Sequence, residues 1–444
     1  MARSSAPRSL SVWLNGEKVG RWNISTAGKH EFCYDDAYIS RTDACPISLS
    51  LPLVSSRFIY SGEKVEVFFD NFLPENSEIR QRIRNRFGAK STSAFDLLAE
   101  IGRDCVGALQ LLQEDSQPEE IRKITGQIVS DNEVAEILRG VTGAGIRAVF
   151  PDEVFRVSIA GAQEKTALLF HDGAWLIPIG STPTTHILKL PLGRIGHMGI
   201  DMSRSVENEW LCSQIAQKLD IKTAHSKIST FDGIKVLVVE RFDRVISSEG
   251  NWIIRLPQED FCQITATPSE RKYEVDGGPG IRSIMDILLG AVDPLGDRRT
   301  FIKSQILFWL LAALDGHAKN FSIFLGGKGH FRLTPIYDIV SAYPVMGHRK
   351  DAIPRDKLKL AMAFEGKNRH YEWHMIVARH IRDTAKLCGF EHEVEGIIGE
   401  FVDRIPHVIS EISAELPSDF PDSIATPILV GVESTAQRLS DEIS

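Results

Sequence analysis

An Asp and an Asn separated by four residues, Asp315-Gly-His-Ala-Lys-Asn320, follow directly on an apolar run over residues 301–314. If the loop between them bends back, a carboxylate and an amide at that spacing can face one phosphate. The carboxylate then takes the proton of an accepting hydroxyl, and the amide oxygen binds Mg2+. A second carboxylate, Asp338 in Ile336-Tyr-Asp-Ile339, comes just after a predicted hairpin whose strands, 321–325 and 330–334, are joined by Gly326-Gly-Lys-Gly329. These residue types suit phosphoryl transfer, in which a protein mainly positions groups and neutralises charge. Asp-Gly is also common turn chemistry, so the loop alone leaves that plainer reading open.

Three further features precede it in the chain. Ser158-Ile-Ala-Gly-Ala-Gln-Glu-Lys165 puts a glycine among small residues ahead of a strand, where backbone N–H groups can approach phosphate oxygens; it also fits an ordinary tight turn. Lys189 lies in His186-Ile-Leu-Lys-Leu190, where alternation sets Ile187 and Lys189 on one face and His186, Leu188 and Leu190 on the other. A lysine so placed can point into a cleft and pair with α/β-phosphates, as in the Val-Ala-Ile-Lys strand of protein kinases, or be a solvated strand lysine. Glu207 and Glu209 sit on the only helix predicted between 156 and 243, and either could pair with Lys189, although acids are common in a first helical turn. His370 and His374 stand at i, i+4, but the H-E-x-x-H order and a third ligand are lacking. Lys367, Arg369, Arg379, Arg382 and Lys386 make a locally basic stretch, which reads as a solvated helix face or a phosphate-contacting patch.

These groups need elements to carry them. Leu10-Ser-Val-Trp-Leu and Lys18-Val-Gly-Arg-Trp flank Asn15-Gly16, a strong hairpin signal, because both turn residues tolerate positive φ. Short strands are predicted at 47–51, 65–69 and 106–112, and helices at 76–87 and 93–101, each stopped by a glycine. Residues 113–125 turn polar and acidic and read as a linker, followed by a short helix at 130–138. Hairpins at 166–171/174–179 and 226–231/234–240 turn on Asp172-Gly173 and Asp232-Gly233; a strand at 185–190 and a helix at 205–219 lie between them. Beyond 243 the pattern is helical to the C-terminus, including 281–289, 371–387 and 394–412, apart from the 321–334 hairpin. Four parts follow: an α+β module over 1–115, a linker with a short helix over 116–150, a β-rich lobe over 151–243 and a helical lobe over 244–444, with a cleft where strands give way to helices.

The chain of 444 residues can hold two or three cores. Hydrophobic residues at 43% and charged residues at 25% exclude disorder as the main state, and no apolar run approaches the ~20 residues of a membrane span. The N-terminal residues lack the apolar core of a secretory signal. Six scattered cysteines form no C-x-x-C pair, so a reducing cytoplasm is expected rather than a disulfide framework. A net charge of −8 argues against a surface that grips nucleic acid as a whole.

In order along the chain, these strings resemble the HipA family of serine/threonine kinases, toxins of bacterial type II toxin–antitoxin modules. The resemblance is carried by Ser48-Leu-Ser-Leu-Pro-Leu53, Phe69-Asp-Asn-Phe-Leu-Pro-Glu75, Glu100-Ile-Gly-Arg-Asp104, Thr182-Pro-Thr-Thr-His-Ile187, Arg255-Leu-Pro-Gln-Glu-Asp260, Asp276-Gly-Gly-Pro-Gly280 and Thr334-Pro-Ile-Tyr-Asp338, with the 158–168 and 315–320 segments. It implies an α+β, bilobal protein-kinase-like fold: a β-rich N-lobe with an extra N-terminal subdomain, and a mainly α-helical C-lobe. ATP and Mg2+ are the implied cofactors and a helix-turn-helix, HipB-like antitoxin the implied partner. An aminoacyl-tRNA synthetase, the glutamyl enzyme above all, is the implied protein substrate. By the same resemblance Asp315 is the catalytic residue and Asn320 and Asp338 are metal ligands. Ile159, Ala160, Gly161, Ala162, Gln163 and Glu164 form the phosphate loop, Lys189 is the ATP lysine, and Glu240, Arg241 and Phe242 are the adenine-contacting hinge. His317, Lys319 and Tyr337 are assigned to the nucleotide site, and Ser158 is where the family autophosphorylates. The family's DNA contact near Lys386 is half present, with Gly389 where a basic residue would stand, so DNA contact is expected mainly through the antitoxin. A small-molecule kinase of the aminoglycoside or choline type shares Asp-x4-Asn, and a catalytically weak co-repressor is a reading of another class. The intact Lys189, Asp315, Asn320 and Asp338 set argues against the latter.

Overall fold

A computed structural model describes residues 8–141, 163–196 and 198–443. The N-terminal strands β1 (Arg8–Leu14), β2 (Glu17–Ile24), β3 (His30–Tyr34), β4 (Tyr60–Ser61) and β5 (Leu109–Gln113) form an antiparallel sheet in the order β4-β3-β2-β1-β5. The β1–β2 turn places Asn15 at φ 44° and Gly16 at φ 89°, the left-handed pair that Asn-Gly supplies without steric cost. Helices α1 (Asp36–Ile39), α2 (Glu63–Asp70), α3 (Ser77–Phe87) and α4 (Ala94–Ile101) belong to this subdomain. Asn76 caps α3 by accepting from the Glu78 and Ile79 N–H groups, and Gly88 ends it at φ 69°.

Two strand expectations here are corrected. Residues 65–69 lie in α2: Val65, Phe68, Phe69 and Phe72 recur at i, i+3, i+4 and i+7 and are all buried, a helical face that a five-residue window cannot distinguish from a buried strand. Residues 47–51 make only an isolated bridge between Ser48 and Leu51, because Glu259 of the distant C-lobe claims the Ser48 hydroxyl (2.5 Å) and the Leu49 N–H (2.7 Å).

The expected linker contributes a strand of its own, β6 (Gly126–Val129), and then α5 (Asp131–Val141). Strand β6 pairs with β8 of the next module. The module's antiparallel sheet is β7 (Lys165–His171), β8 (Ala174–Pro178), β9 (His186–Lys189), β12 (Ser226–Phe231) and β13 (Ile234–Glu240) with β6, in the order β12-β13-β9-β7-β8-β6; a small hairpin, β10 (Gly193–Ile195) and β11 (Ile200–Met202), follows β9. Helix α6 (Ser205–Lys218) packs on this sheet and also joins the C-lobe core through Leu211, Ile215 and Ala216.

The C-lobe holds α7 (Phe261–Ile264), α8 (Ile281–Ile287), α9 (Pro294–Leu310), α10 (Ala378–Leu387), α11 (Glu391–Glu415) and α12 (Asp422–Asp441) around a large apolar core. It carries more strands than expected. Short pieces β14 (Arg244–Ile246), β15 (Ile253–Arg255) and β16 (Gln258–Asp260) precede the hairpin β17 (Ser322–Leu325)–β18 (Phe331–Leu333), and β16 pairs with β17. Residues 371–387, expected as one helix, divide into the end of β20 (Arg369–Glu372), a tight turn at Trp373–Met375, and α10. The reason is non-local, since β20 pairs with β19 (Lys359–Glu365). Among the described residues no helix is long and apolar enough to cross a membrane.

Buried polar groups fasten the N-terminal subdomain to the rest. Asp104 accepts from Arg241 (3.2 Å), Arg244 (2.8 Å) and the Thr184 N–H and hydroxyl (3.0 and 2.7 Å), and its carboxylate lies 3.5 Å from the Arg255 guanidinium. Asp243 accepts from Arg241 (2.8 Å) and from the Gly107 N–H (2.7 Å). Against the penalty of burial, Arg244, Arg241 and Arg255 hold the Asp104 carboxyl well below the usual carboxylate range. Asn15 exchanges hydrogen bonds with the backbone of Arg255 (2.8 and 2.9 Å).

Glu259 behaves in the opposite way. Burial lifts its carboxyl from the ordinary 4.5 to about 8, with nearby Asp260 adding to the lift, although the bonds from Ser48 and Leu49 pull down. A folded-state pKa above the unfolded one means that the folded chain holds the extra proton between these values, so stability falls as pH rises from about 5 to 8. Glu259→Gln mimics the protonated form. It is expected to raise the urea midpoint relative to wild type at pH 8 and to do so far less at pH 5.

Candidate active site

Between the six-stranded sheet and the C-lobe lies a cavity of about 510 Å3, within the usual range for small-molecule sites. Its lining includes Gln163, Lys189, Glu240, Arg241, Phe242, Asp315, His317, Lys319, Asn320, Tyr337 and Asp338, so the fold gathers these sequence-predicted residues in one place. Ser158, Ile159, Ala160, Gly161 and Ala162 lie outside the described residues. Glu164 is described next to the cavity-lining Gln163 and forms an ion pair with Arg82 of α3.

Lys189 projects from β9 on the face it shares with Ile187, and both line the cavity. Its ammonium lies 2.7 Å from Glu209 and also donates to the Asp338 carboxylate. The structure thus chooses between the two glutamates: Glu207, nearly opposite on α6, is held by Lys235 (2.7 Å) and Arg204 (2.9 Å). Although burial disfavours its charge, the Asp338 and Glu209 carboxylates hold the Lys189 ammonium pKa above its ordinary value. Lys165 stands opposite Lys189 on β7; burial lowers its pKa to about 8, with Lys189 adding to the fall against the pull of Asp338. Replacing Lys189 by methionine leaves Glu209 and Asp338 without their shared cation. We expect a loss of about 2 kcal/mol in folding stability at pH 8. The loss should be smaller at pH 5, where the carboxyls can take up protons; urea denaturation at the two pH values checks this.

The 315–320 loop bends back as its spacing suggested. The Asn320 amide N–H donates to the Asp315 carbonyl (2.7 Å), the His317 N–H donates to the same carbonyl (2.8 Å), and the Asn320 N–H donates to the His317 carbonyl (2.9 Å). The Asp315 side chain is 61% exposed at the cavity mouth and accepts from the Tyr273 hydroxyl. Its carboxyl pKa is raised by the surrounding walls and by Asp338 and Glu75, while Tyr273 and Lys272 pull it down. Asp338 adopts φ 60°, a left-handed conformation unusual for a non-glycine residue and typical of over-determined functional positions.

Three site residues have duties beyond lining. The Arg241 guanidinium is tied to Asp104 and Asp243, and Lys319 bonds Asn71 (2.7 and 3.1 Å) and Asp260 (3.1 Å). Tyr337 donates to the Lys319 carbonyl (2.9 Å), while its ring lies 5.8 Å from that of Phe242. With Ile187, Ala224 and Val239, these two rings give one end of the cavity an apolar lining suited to a flat base. Sequence reasoning missed Asn71, Glu75, Lys272 and Tyr273 as cavity residues. Asn71 and Glu75 lie inside a string already singled out, but nothing local shows that an N-terminal subdomain reaches the cleft.

Among the described residues no cluster of three or more His, Cys, Asp or Glu side chains forms a metal site. Asp338 and Asn320 offer hard oxygen donors in an open site, the kind that Mg2+ completes with water and phosphate oxygens.

The two lobes, the cleft between them and the added subdomain define a bilobal α+β protein with a kinase-like fold. The HipA N-terminal domain matches residues 10–112 and the HipA-like C-terminal domain residues 157–409. The chain belongs to the HipA family of toxin kinases. It is 33% identical over 341 residues to the Sinorhizobium fredii protein Y4mE, covering 76% of this chain and 78% of that one. The serine/threonine-protein kinase toxin HipA of Shewanella oneidensis is 26% identical over 391 residues, 84% of this chain and 82% of its own. A solved complex of Shewanella oneidensis HipA, HipB and operator DNA superposes with a TM-score of 0.78 and 21% identity, covering 98% of both chains, a likeness of fold.

Proposed function

We propose that this chain is an ATP- and Mg2+-dependent serine/threonine protein kinase, the growth-inhibiting toxin of a toxin–antitoxin module. The observation that carries the reading is the meeting, in one cavity, of the Lys189–Glu209 pair with Asp315, Asn320 and Asp338. Glu209 holds Lys189 where it can bind α/β-phosphates, and the apolar lining near Phe242 and Tyr337 receives the base. Asp338 and Asn320 would hold Mg2+, which when bound neutralises phosphate charge. Asp315, oriented by Tyr273, accepts the proton of the substrate hydroxyl. The open position of Asp315 suits a hydroxyl on a protein surface.

The finer parts of the reading follow the family. The partner is a HipB-like, helix-turn-helix antitoxin, as the name of the Shewanella complex suggests, and DNA is met mainly through it. Arg369 and Arg382 are paired with Glu365 and Glu395, while Lys386 is exposed on α10. The substrate is an aminoacyl-tRNA synthetase, with the glutamyl enzyme the first to test, and the site of action is the cytoplasm. Ser158 is the site of self-inactivating phosphorylation: a phosphate there adds roughly −1.5 to −2 charges beside the nucleotide's own phosphates.

Incubation of the purified chain with γ-labelled ATP and Mg2+, alone and with glutamyl-tRNA synthetase, tests the reading. Label on serine or threonine in wild type and none with Asp315→Ala is expected; no label on any protein would overturn it. Mass spectrometry should find Ser158 phosphorylated in wild type and unmodified in Asp315→Ala made alone. Full activity of the Ser158-phosphorylated form would rule out self-inactivation.

A further inference from the structure

Phosphoryl transfer spreads negative charge over the oxygens of the moving group, so a cation near the catalytic carboxylate adds to the stabilisation supplied on the nucleotide side. The Asp315–Asn320 loop supplies none that is free to meet the moving group. His317, two residues after Asp315, is buried and its Nδ1 has no hydrogen-bond partner, so it offers no fixed positive charge there. Lys319 is locked by Asp260 and Asn71. Lys165 and Lys189 enter from the N-lobe sheet, and Arg241 is held in the Asp104 cluster.

Among the described residues that leaves one lysine beside the catalytic loop. Lys272 lines the same cavity, and its backbone carbonyl accepts from the Ala318 N–H (3.4 Å), which stitches it to the catalytic loop. The next residue, Tyr273, donates to Asp315. The Lys272 ammonium pairs with Glu75 (2.6 Å), which the N-terminal subdomain brings into the cleft. The other oxygen of Glu75 is buried without a partner, so the lysine is tethered through one oxygen only.

We infer that Lys272 is a further catalytic residue, binding an oxygen of the transferring phosphoryl group from the acceptor side, and that Glu75 is the positioning residue that holds it there. In the step, the substrate hydroxyl oxygen bonds to the γ-phosphorus as the bond from that phosphorus to the β–γ bridging oxygen breaks. The bridging oxygen keeps the electron pair and leaves with ADP, and the hydroxyl proton passes to Asp315. The ammonium of Lys272 stays protonated throughout and contributes charge and a hydrogen bond. The role also gives the N-terminal subdomain a direct part in catalysis.

This inference rests on the kinase reading, and its test separates the two. The full chain would be compared with Lys272→Ala, Lys272→Arg and Glu75→Gln for Mg–ADP affinity, single-turnover transfer and thermal midpoint. Lys272→Ala is expected to keep ADP affinity within about threefold while transfer falls about 100-fold, the loss typical of one transition-state donor. Lys272→Arg should recover at least about tenfold, because it restores the charge, and Glu75→Gln should slow transfer about tenfold with ADP affinity retained. Transfer by Lys272→Ala within threefold of wild type overturns the inference and leaves the kinase reading standing. So does a failed arginine rescue with a midpoint as low as that of the alanine variant, which would mark Lys272 as structural. A wild-type chain that binds ADP but transfers nothing overturns both.

Discussion

Replacing Asp315 by alanine is expected to cut phosphoryl transfer by about 1,000-fold or more, at the upper end of what a positioned general base contributes and close to abolition in practice. Stability should hardly change. The side chain is 61% exposed and its one side-chain hydrogen bond, from Tyr273, lies at the cavity mouth. Exposed substitutions of this kind usually shift stability by no more than about 0.5 kcal/mol. The fold of the loop survives because its bonds from Asn320 and His317 go to the backbone carbonyl of residue 315, which alanine retains. Labelled transfer and urea denaturation of the same preparation check both halves. Activity close to wild type would remove Asp315 from the chemistry. A large fall in midpoint would make it a structural residue.

Asp104→Ala is expected to have the largest effect on stability, a loss of about 3–5 kcal/mol, because it leaves buried charge uncompensated. Arg241, Arg244 and Arg255 are almost wholly buried, and among the described residues Asp243 alone then remains to balance them. Nucleotide affinity should fall as well, since Arg241 belongs to the Glu240–Phe242 segment along the cavity. The pH dependence follows from the depressed carboxyl: its contribution is present above the unfolded value near 3.8 and is lost as pH falls toward the folded one. Asp104→Ala should therefore lose most at pH 7 and progressively less in acid, read by urea midpoints from pH 7 down to pH 3. A midpoint unchanged at pH 7 would mean that the cluster contributes nothing net to stability.

The chain's local chemistry was legible without coordinates where the signal was short in range. Asn15-Gly16, Asp172-Gly173 and Asp232-Gly233 specify hairpins because left-handed backbone is inexpensive for those residues, and each pair has positive φ in the structure. The bend of the Asp315–Asn320 loop and the face shared by Ile187 and Lys189 follow from spacing and strand alternation. Segments whose state is set by a distant partner were misread. Val65–Phe69 is too short for its period to show, β20 exists because β19 lies beside it, and Ser48 is held out of a strand by Glu259. Only the tertiary structure decided that Glu209, not Glu207, holds Lys189, since both acids sit on one helix and differ in the direction they face. It alone decided that Arg241 and Lys319 anchor the N-terminal subdomain as well as line the cavity. Above all, it brought Glu75 to Lys272 across 197 residues, a juxtaposition with no local signature, because burial and charge pairing act through space while sequence patterns report only neighbours along the chain.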